Sequence, residues 1–98
     1  MIISFGDRAT EDLFHERPTR YARRIPADIV ASALRKLDLI DAAEALMDLK
    51  APPGNRLEIL RGDLQDCHSI RINERWRIVF RWKGRDAYEV RIMDYHGG

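Results

Sequence analysis

Hydrophobic residues change their spacing halfway along the chain. After Pro26 the apolar residues recur at helical spacing and predict one amphipathic stripe: Ile29, Val30, Ala33, Leu34 and Leu37. From residue 70 onward, apolar and polar residues alternate, which is typical of half-buried antiparallel strands. Helical segments followed by an alternating segment predict an α+β domain in which N-terminal helices pack on a small antiparallel sheet.

The N-terminal half predicts a short strand and several helical segments. Residues 2–5 predict a first strand, and residues 7–16 predict a short helix that ends before Pro18. Pro26 suits the first turn of the main helix, because its missing N–H is not needed there. Asp41 and Glu44 are spaced like a capping box, which would open a further helical segment over residues 42–49.

The C-terminal half predicts three strands joined by tight turns. Their apolar positions, expected to face the helices, are Ile70 and Ile72, then Trp76, Ile78, Phe80 and Trp82, then Tyr88, Val90 and Ile92. Residues 73–75 and 83–86 are short enough to be hairpin turns. The pattern therefore places Arg71, Arg77 and Arg81 together on the opposite face of the sheet.

Length and composition bound the class of protein. The chain has 98 residues, 45% of them hydrophobic and 34% charged, which predicts one globular domain over residues 1–98. The N-terminus has no signal-like segment and no apolar run approaches the roughly 20 residues of a membrane span, so a cytoplasmic location without membrane contact is expected. The single Cys67 cannot build a disulfide framework or a zinc site, and no metal or cofactor is expected.

Charge is distributed unevenly although the net charge is only +1. The window 56–85 holds eight basic and four acidic residues, whereas residues 1–50 hold eight and nine. A local basic surface fits a phosphate-facing site, although a solvated strand face is the alternative. A second basic segment, formed by Arg17, Arg20, Arg23 and Arg24, is a candidate contact for ribosomal RNA or for a protein partner.

The residue types on the predicted sheet suit RNA cleavage without a metal. RNA carries its own nucleophile, the 2′-OH, so a protein has only to remove a proton, stabilise the phosphorane and protonate the leaving oxygen. A carboxylate can take the proton, guanidiniums suit the phosphorane, and histidine is a proton donor near neutral pH. Each residue also has a structural interpretation on its own: Glu58 paired with Arg61 or Arg77, or a cross-strand ladder of arginines with Glu89.

Three motifs in order resemble one family of bacterial toxins. Residues 54–63, with the run Glu58-Ile59-Leu60-Arg61-Gly62, and residues 69–80 resemble the RelE/ParE superfamily. Residues 94–96, Asp-Tyr-His, resemble the C-terminal signature of its HigB-type branch. The resemblance implies a RelE-like microbial ribonuclease fold and a helix-turn-helix antitoxin partner. It also implies cleavage of mRNA in the A site of the 70S ribosome by 2′-OH transesterification.

The resemblance also assigns roles to individual residues. Glu58 matches a proposed general base, although many HigB-type members have histidine there, and Arg77 matches a transition-state clamp. His96 matches the proposed general acid, and its neighbours Asp94 and Tyr95 would orient it or stack on a base. Arg61 and Arg71 match phosphate contacts of the family. Arg81, which the alternation places on the same face as Arg71 and Arg77, is also expected to bind the substrate.

Two other functions stay open at the level of sequence. The superfamily also contains ParE-like toxins that are not nucleases and inhibit DNA gyrase, and fold alone does not determine the target. The chain could also be an inactive module retained for antitoxin binding.

Overall fold

The computed structural model describes residues 1–60 and 67–94 and has an α+β architecture. Its two α-helices are α1 (Arg8–Phe14) and α2 (Val30–Ala42). Its antiparallel sheet has four strands in spatial order: β1 (Glu58–Ile59), β2 (Cys67–Arg71), β3 (Trp76–Lys83) and β4 (Asp86–Asp94). The predicted fold class is confirmed, with β1 added to the three predicted strands.

Helix α1 begins where the sequence predicts, whereas α2 begins at Val30, four residues after Pro26. Asp7 caps α1, because its Oδ1 accepts a hydrogen bond of 2.8 Å from the Thr10 N–H. A 3₁₀ turn over Ala27–Ile29 follows Pro26 and leads directly into α2. Among the described residues, neither helix is long and apolar enough to cross a membrane.

The predicted capping box at Asp41 and Glu44 is wrong. Helix α2 continues to Ala42, and the next helical segment is a 3₁₀ helix over Leu46–Lys50. Asp41 instead accepts a hydrogen bond of 2.8 Å from the backbone N–H of Ile2, which ties the chain start to the end of α2. The carboxylate that caps the 3₁₀ helix is that of Asp48, which accepts from the N–H groups of Glu44 and Ala45.

The helices pack on one face of the sheet and form the main core there. The apolar stripe of α2 is confirmed, since Ala33 and Leu37 are fully buried against Ile78 and Phe80 of β3. Trp76 and Trp82 are partly buried against the same core, as the alternation predicted. We call the opposite side of the sheet its outer face; within residues 1–60 and 67–94, both α-helices belong to the core on the other side.

The predicted first strand is an extended segment that runs parallel to β4. Ile2 and Phe5 form isolated parallel bridges with Ala87 and Val90. Gly6 ends this segment against β4, and a Cβ on it would lie 2.8 Å from the Glu89 carbonyl oxygen. The close approach therefore requires glycine at this position.

A β-bulge in β4 shifts the alternation of side chains. Val79 pairs with Arg91 but Arg81 pairs with Tyr88, so β4 has one residue more than β3 over this stretch. Glu89, within the bulge, has a positive φ of 53°. The prediction that Tyr88 faces the core with Val90 is therefore wrong, and Ala87 takes the buried position instead.

Candidate active site

The pairing of β1, β2 and β3 brings polar residues together on the outer face. Arg71 of β2 is the direct partner of Arg77 of β3, and Glu58 of β1 is the direct partner of Ser69 of β2. Residues paired across strands point to the same side of a sheet, so the predicted grouping of Arg71 and Arg77 with Glu58 is present in the structure.

Arg77 is held rigidly although it carries a charge. The residue is only 8% exposed. Its Nε donates to Ser69 Oγ at 2.8 Å, and one terminal nitrogen donates to the Arg56 carbonyl oxygen at 2.7 Å. The same nitrogen lies 3.8 Å from Glu58 Oε2. A buried guanidinium requires such partners, and together they fix its direction.

The carbonyl that accepts from Arg77 is positioned by a buried asparagine. Asn55 is fully buried, and its Nδ2 donates to the carbonyl oxygens of Leu49 and Ala51, each at 3.2 Å. Its Oδ1 accepts a hydrogen bond from Lys36 of α2. Arg56 follows with a positive φ of 44°, a left-handed conformation that costs free energy outside glycine. The asparagine thus supports a strained backbone next to Arg77.

Five residues line a cleft beside Arg77: Arg56, Arg71, Asn73, Glu74 and Arg77. Three of them are cationic, and two of these, Arg71 and Arg77, are direct cross-strand partners that repel each other. The side chain of Glu74 is 95% exposed and lies 4.0 Å from Arg71, so it offsets little of that charge. An anion bound in this cleft would relieve the repulsion between the arginines.

Glu58 lies at the edge of this arrangement with water access. Its side chain is 52% exposed, compared with 10% for that of Arg77. A carboxylate oxygen can accept a proton from a hydroxyl group placed next to it. A carboxylate beside a fixed guanidinium is therefore arranged for combined proton transfer and phosphate binding.

Asp94 takes part in a different contact at the end of β4. Its carboxylate accepts from Arg75 Nε at 2.9 and 3.0 Å and from a terminal nitrogen of Arg75 at 2.8 Å. This hydrogen-bonded carboxylate raises the pKa of the Arg75 guanidinium above its ordinary value. Asp94 is the cross-strand partner of Trp76, so the alternation turns it away from the outer face that carries Arg77. The structure therefore does not bring Asp94 into the Arg77 cleft.

Arg81 lies on the outer face but apart from the cleft. It is four residues along β3 from Arg77, roughly 13 Å at strand spacing. Its Nε forms an ion pair with Glu89 at the bulge, which is the ladder contact that the sequence left open as the alternative. The other predicted site residues, Arg61, Tyr95 and His96, lie outside the described residues.

Sequence reasoning missed four residues of this site, namely Arg56, Ser69, Asn73 and Glu74. Ser69 could have been found, because the hairpin turn fixes the register of β2 and β3 and makes Ser69 a diagonal neighbour of Arg77. Arg56 could not have been found, because its contribution depends on a left-handed backbone that no sequence motif predicts. Within residues 1–60 and 67–94, no group of three or more histidine, cysteine or acidic residues is arranged to hold a metal ion.

Comparison with known proteins identifies the family. The model of the HigB-like toxin family, described as RelE-like toxin of type II toxin-antitoxin system HigB, matches residues 3–96. Toxin HigB-1 of Vibrio cholerae serotype O1 is 44% identical over 82 residues, which cover 84% of each protein. Endoribonuclease HigB of Proteus vulgaris is 32% identical over 96 residues, which cover 98% of this chain and all of that protein.

A solved structure supports the same fold. A chain of the YoeB-YefM complex from Staphylococcus aureus superposes with a TM-score of 0.61, covering 98% of this chain and 95% of that one. The two sequences are 22% identical, so this likeness concerns the fold. With the family match over residues 3–96, the chain belongs to the HigB-like toxins, the RelE-like toxins of type II toxin–antitoxin systems.

Proposed function

We propose that this toxin is an endoribonuclease that cleaves mRNA in the ribosomal A site. The observation that carries the proposal is the buried Arg77 guanidinium, which is fixed by Ser69 and Arg56, faces Arg71 across the strands and has Glu58 at 3.8 Å. A fixed cation beside a carboxylate matches the charges that develop in phosphoryl transfer from a hydroxyl group. The name of the Proteus vulgaris relative supports the same activity.

The proposed reaction is a transesterification within the RNA. Glu58 takes the proton of the 2′-OH, and the 2′-oxygen forms a bond to the adjacent phosphorus. The bond from phosphorus to the 5′-oxygen breaks, and His96 gives a proton to that oxygen. The products are a 2′,3′-cyclic phosphate and a 5′-OH end, and no metal is needed because RNA supplies the nucleophile.

In this proposal the arginines act on the phosphate. Arg77 stabilises the extra negative charge of the phosphorane, because a guanidinium stays ionised and donates in a planar fork. Arg71 and Arg56 line the same cleft and would bind the nonbridging oxygens or the neighbouring phosphate. Arg61 and Arg81 are proposed as further substrate contacts. Asp94 and Tyr95 are proposed to orient His96 or to stack on a base.

The proposal includes two macromolecular partners. Members of type II toxin–antitoxin systems pair a toxin with an antitoxin, and we propose a helix-turn-helix protein in that role here. The second partner is the ribosome, which would present the mRNA codon in the A site. The outer face of the sheet would then be the surface turned to the mRNA.

The test is translation on programmed ribosomes with purified toxin, with the 5′ ends of the mRNA mapped by primer extension. We expect new 5′ ends within the A-site codon, and their loss in Arg77→Ala and His96→Ala. The matched control is Arg35→Ala, an exposed arginine of α2 that donates a hydrogen bond to Ser32 Oγ. It should cleave like the original protein.

Two outcomes would refute the proposal. A folded protein that leaves ribosome-bound mRNA intact would do so, and a gyrase supercoiling assay would then test the ParE-like alternative. Full cleavage by Arg77→Ala would show that the cleft is not the site. If the original protein neither cleaves mRNA nor inhibits gyrase but still binds the antitoxin, it is the inactive module.

A further inference from the structure

A second group of arginines surrounds Tyr21, on the segment between α1 and α2. The guanidinium carbons of Arg8, Arg20 and Arg24 lie 5.2, 5.0 and 5.6 Å from the centroid of the Tyr21 ring. Arg20 also donates to the Tyr21 hydroxyl oxygen at 3.0 Å. Cation–π contacts hold a guanidinium against an aromatic face. We call these four residues the Tyr21 cluster.

The acidic groups near this cluster are already engaged. Arg8 lies 3.7 Å from an Asp12 carboxylate oxygen, but the same carboxylate also accepts from Thr19 and Arg17. Asp7 lines the adjoining cleft and uses its side chain to cap α1. Within the described part of the chain, neither Arg20 nor Arg24 has a carboxylate oxygen within the 4.0 Å of an ion pair.

The cleft beside the cluster offers aromatic and apolar surface together with the charge. Tyr21 and Trp76 line it with Arg8 and Arg24. Both aromatic residues are partly buried, whereas the arginines are exposed. Three guanidiniums already lie against the Tyr21 ring, and that of Arg75 lies 5.9 Å from the centroid of the Trp76 ring. The cleft therefore presents exposed cations held on aromatic surface, and such a cationic groove can follow the phosphate backbone of a single strand of nucleic acid.

The two clefts lie on either side of the turn between β2 and β3. Asn73 and Glu74 of this turn line the cleft that holds Arg77, whereas Trp76, just after it, lines the cleft of the Tyr21 cluster. The same end of the sheet therefore carries cationic clefts on both faces. One strand of RNA passing around the turn could contact both.

From this arrangement we infer that the Tyr21 cluster is a second RNA-binding surface, which holds the phosphate backbone outside the cleavage site. The inference rests on the proposed function, because it gives the same substrate class a second contact. Its arginines bind phosphate and do not read bases, so the contact is independent of sequence. The cluster takes no part in the bond-breaking step and contributes only affinity.

The experiment measures binding to short 2′-O-methyl oligoribonucleotides, which lack the attacking hydroxyl and so cannot be cleaved by the proposed route. Fluorescence anisotropy over a series of KCl concentrations compares the original protein with Arg20→Gln/Arg24→Gln. We expect about tenfold weaker binding for the variant, equally for U-rich and A-rich strands. Two lost contacts should also make the slope of log K against log salt shallower by about 1.4.

Two further variants separate charge from fold. Arg35→Gln removes an exposed arginine of α2 and should keep both the affinity and the salt slope of the original protein. Tyr21→Phe keeps the ring and removes only the hydroxyl that binds Arg20, so it should lose at most about threefold in affinity. On ribosomes, Arg20→Gln/Arg24→Gln should raise KM and leave kcat unchanged.

The inference is overturned if Arg20→Gln/Arg24→Gln binds the oligonucleotides with unchanged affinity and salt slope. It is also overturned if that variant keeps RNA binding but no longer binds the antitoxin, since the cluster would then be a protein interface. The proposed function can fail separately: if the original protein does not cut ribosome-bound mRNA, the binding data still decide whether the cluster contacts RNA.

Discussion

The molecule carries two arginine clusters that are built in opposite ways. In the cleft of the outer face, Arg77 is 8% exposed and its nitrogens are directed by Ser69 and by a backbone carbonyl. In the Tyr21 cluster the arginines are exposed and rest on one aromatic ring. Hydrogen bonds to several fixed partners set the direction of Arg77, whereas Arg24 is held by the ring face and Arg20 by the ring and its hydroxyl oxygen.

The difference separates two tasks. Stabilising a transition state requires donors that are already in position when charge develops, because reorganisation at that moment costs free energy. Holding a flexible strand requires charge near a surface and tolerates several geometries. Arg77, which is fixed by hydrogen bonds, therefore suits the reaction, and the arginines of the Tyr21 cluster suit binding of the RNA strand.

The largest effect is expected for Arg77→Lys, which keeps the charge and removes the planar fork. A single ammonium cannot reach Ser69, the Arg56 carbonyl oxygen and a phosphate in the same geometry. We expect cleavage of ribosome-bound mRNA to fall by about 10²–10³ in single-turnover rate, by analogy with the loss of an oxyanion-hole donor. Arg24→Lys in the Tyr21 cluster should leave that rate unchanged, because only the charge matters there.

Thermal unfolding of both variants, measured alongside, separates a lost contact from a lost fold. If the cleavage rate of Arg77→Lys stays within threefold of that of the original protein, the direction of the guanidinium does not matter. The two clusters would then not differ in the way proposed.

The second prediction concerns the support behind the locked arginine. Asn55→Ala removes the side chain that satisfies two carbonyl groups and Lys36. Leaving such buried groups without partners should reduce the free energy of unfolding by about 2–3 kcal/mol. Asn73→Ala, whose exposed side chain accepts from the N–H groups of Arg75 and Trp76, should cost less, about 1 kcal/mol. Urea denaturation of both variants measures the difference in the free energy of unfolding. Equal losses would contradict the supporting role of Asn55.

The sheet half of the fold could be predicted from the sequence because its signals are local. The alternation from Ile70 to Ile92 and the two short turns determine three of the four strands and bring Arg71 opposite Arg77. The alternation failed at Tyr88, since a β-bulge adds one residue to β4 and exchanges the faces beyond it. No residue type at that point requires a bulge.

The candidate site could be predicted only in part, for a different reason. Arg77, Arg71 and Glu58 follow from motif and register. The carbonyl oxygen that accepts from Arg77 belongs to Arg56, which has a left-handed backbone and directly follows the buried Asn55. Most of the Tyr21 cluster lies on a loop segment without periodicity. The sequence therefore shows its arginines but does not predict that they surround one ring.

A smaller effect is expected for Ser69→Ala. This change removes the hydroxyl that accepts from Arg77 Nε at 2.8 Å but keeps the contact to the Arg56 carbonyl oxygen. A hydrogen bond to a charged group contributes about 1.5 kcal/mol, so the cleavage rate should fall roughly tenfold. Ser32→Ala is the matched control, because Ser32 accepts from Arg35 at 3.1 Å on the exposed side of α2. A Ser69→Ala rate equal to that of the control would mean that the remaining contacts already fix Arg77.

The smallest effect is expected for Asp12, whose carboxylate holds the segment that carries Tyr21. Asp12 is buried, and its Oδ2 accepts from the Thr19 hydroxyl at 2.6 Å. That hydrogen bond is the main cause that lowers the pKa of Asp12 below its ordinary value, with smaller contributions from Arg17 and Arg8, while burial opposes the shift.

Because the pKa of Asp12 is lower in the folded than in the unfolded protein, its ionisation stabilises the fold. That contribution is complete above the unfolded value of about 3.9 and is lost as pH falls through the lower folded value. Asp12→Asn keeps a hydrogen-bond acceptor for Thr19 but cannot titrate. Urea midpoints measured from pH 7 down to pH 3 should therefore fall more steeply for the original protein than for Asp12→Asn. Parallel curves would show that the charge of Asp12 does not hold the Tyr21 segment, and the stacking contacts alone would then have to position its arginines.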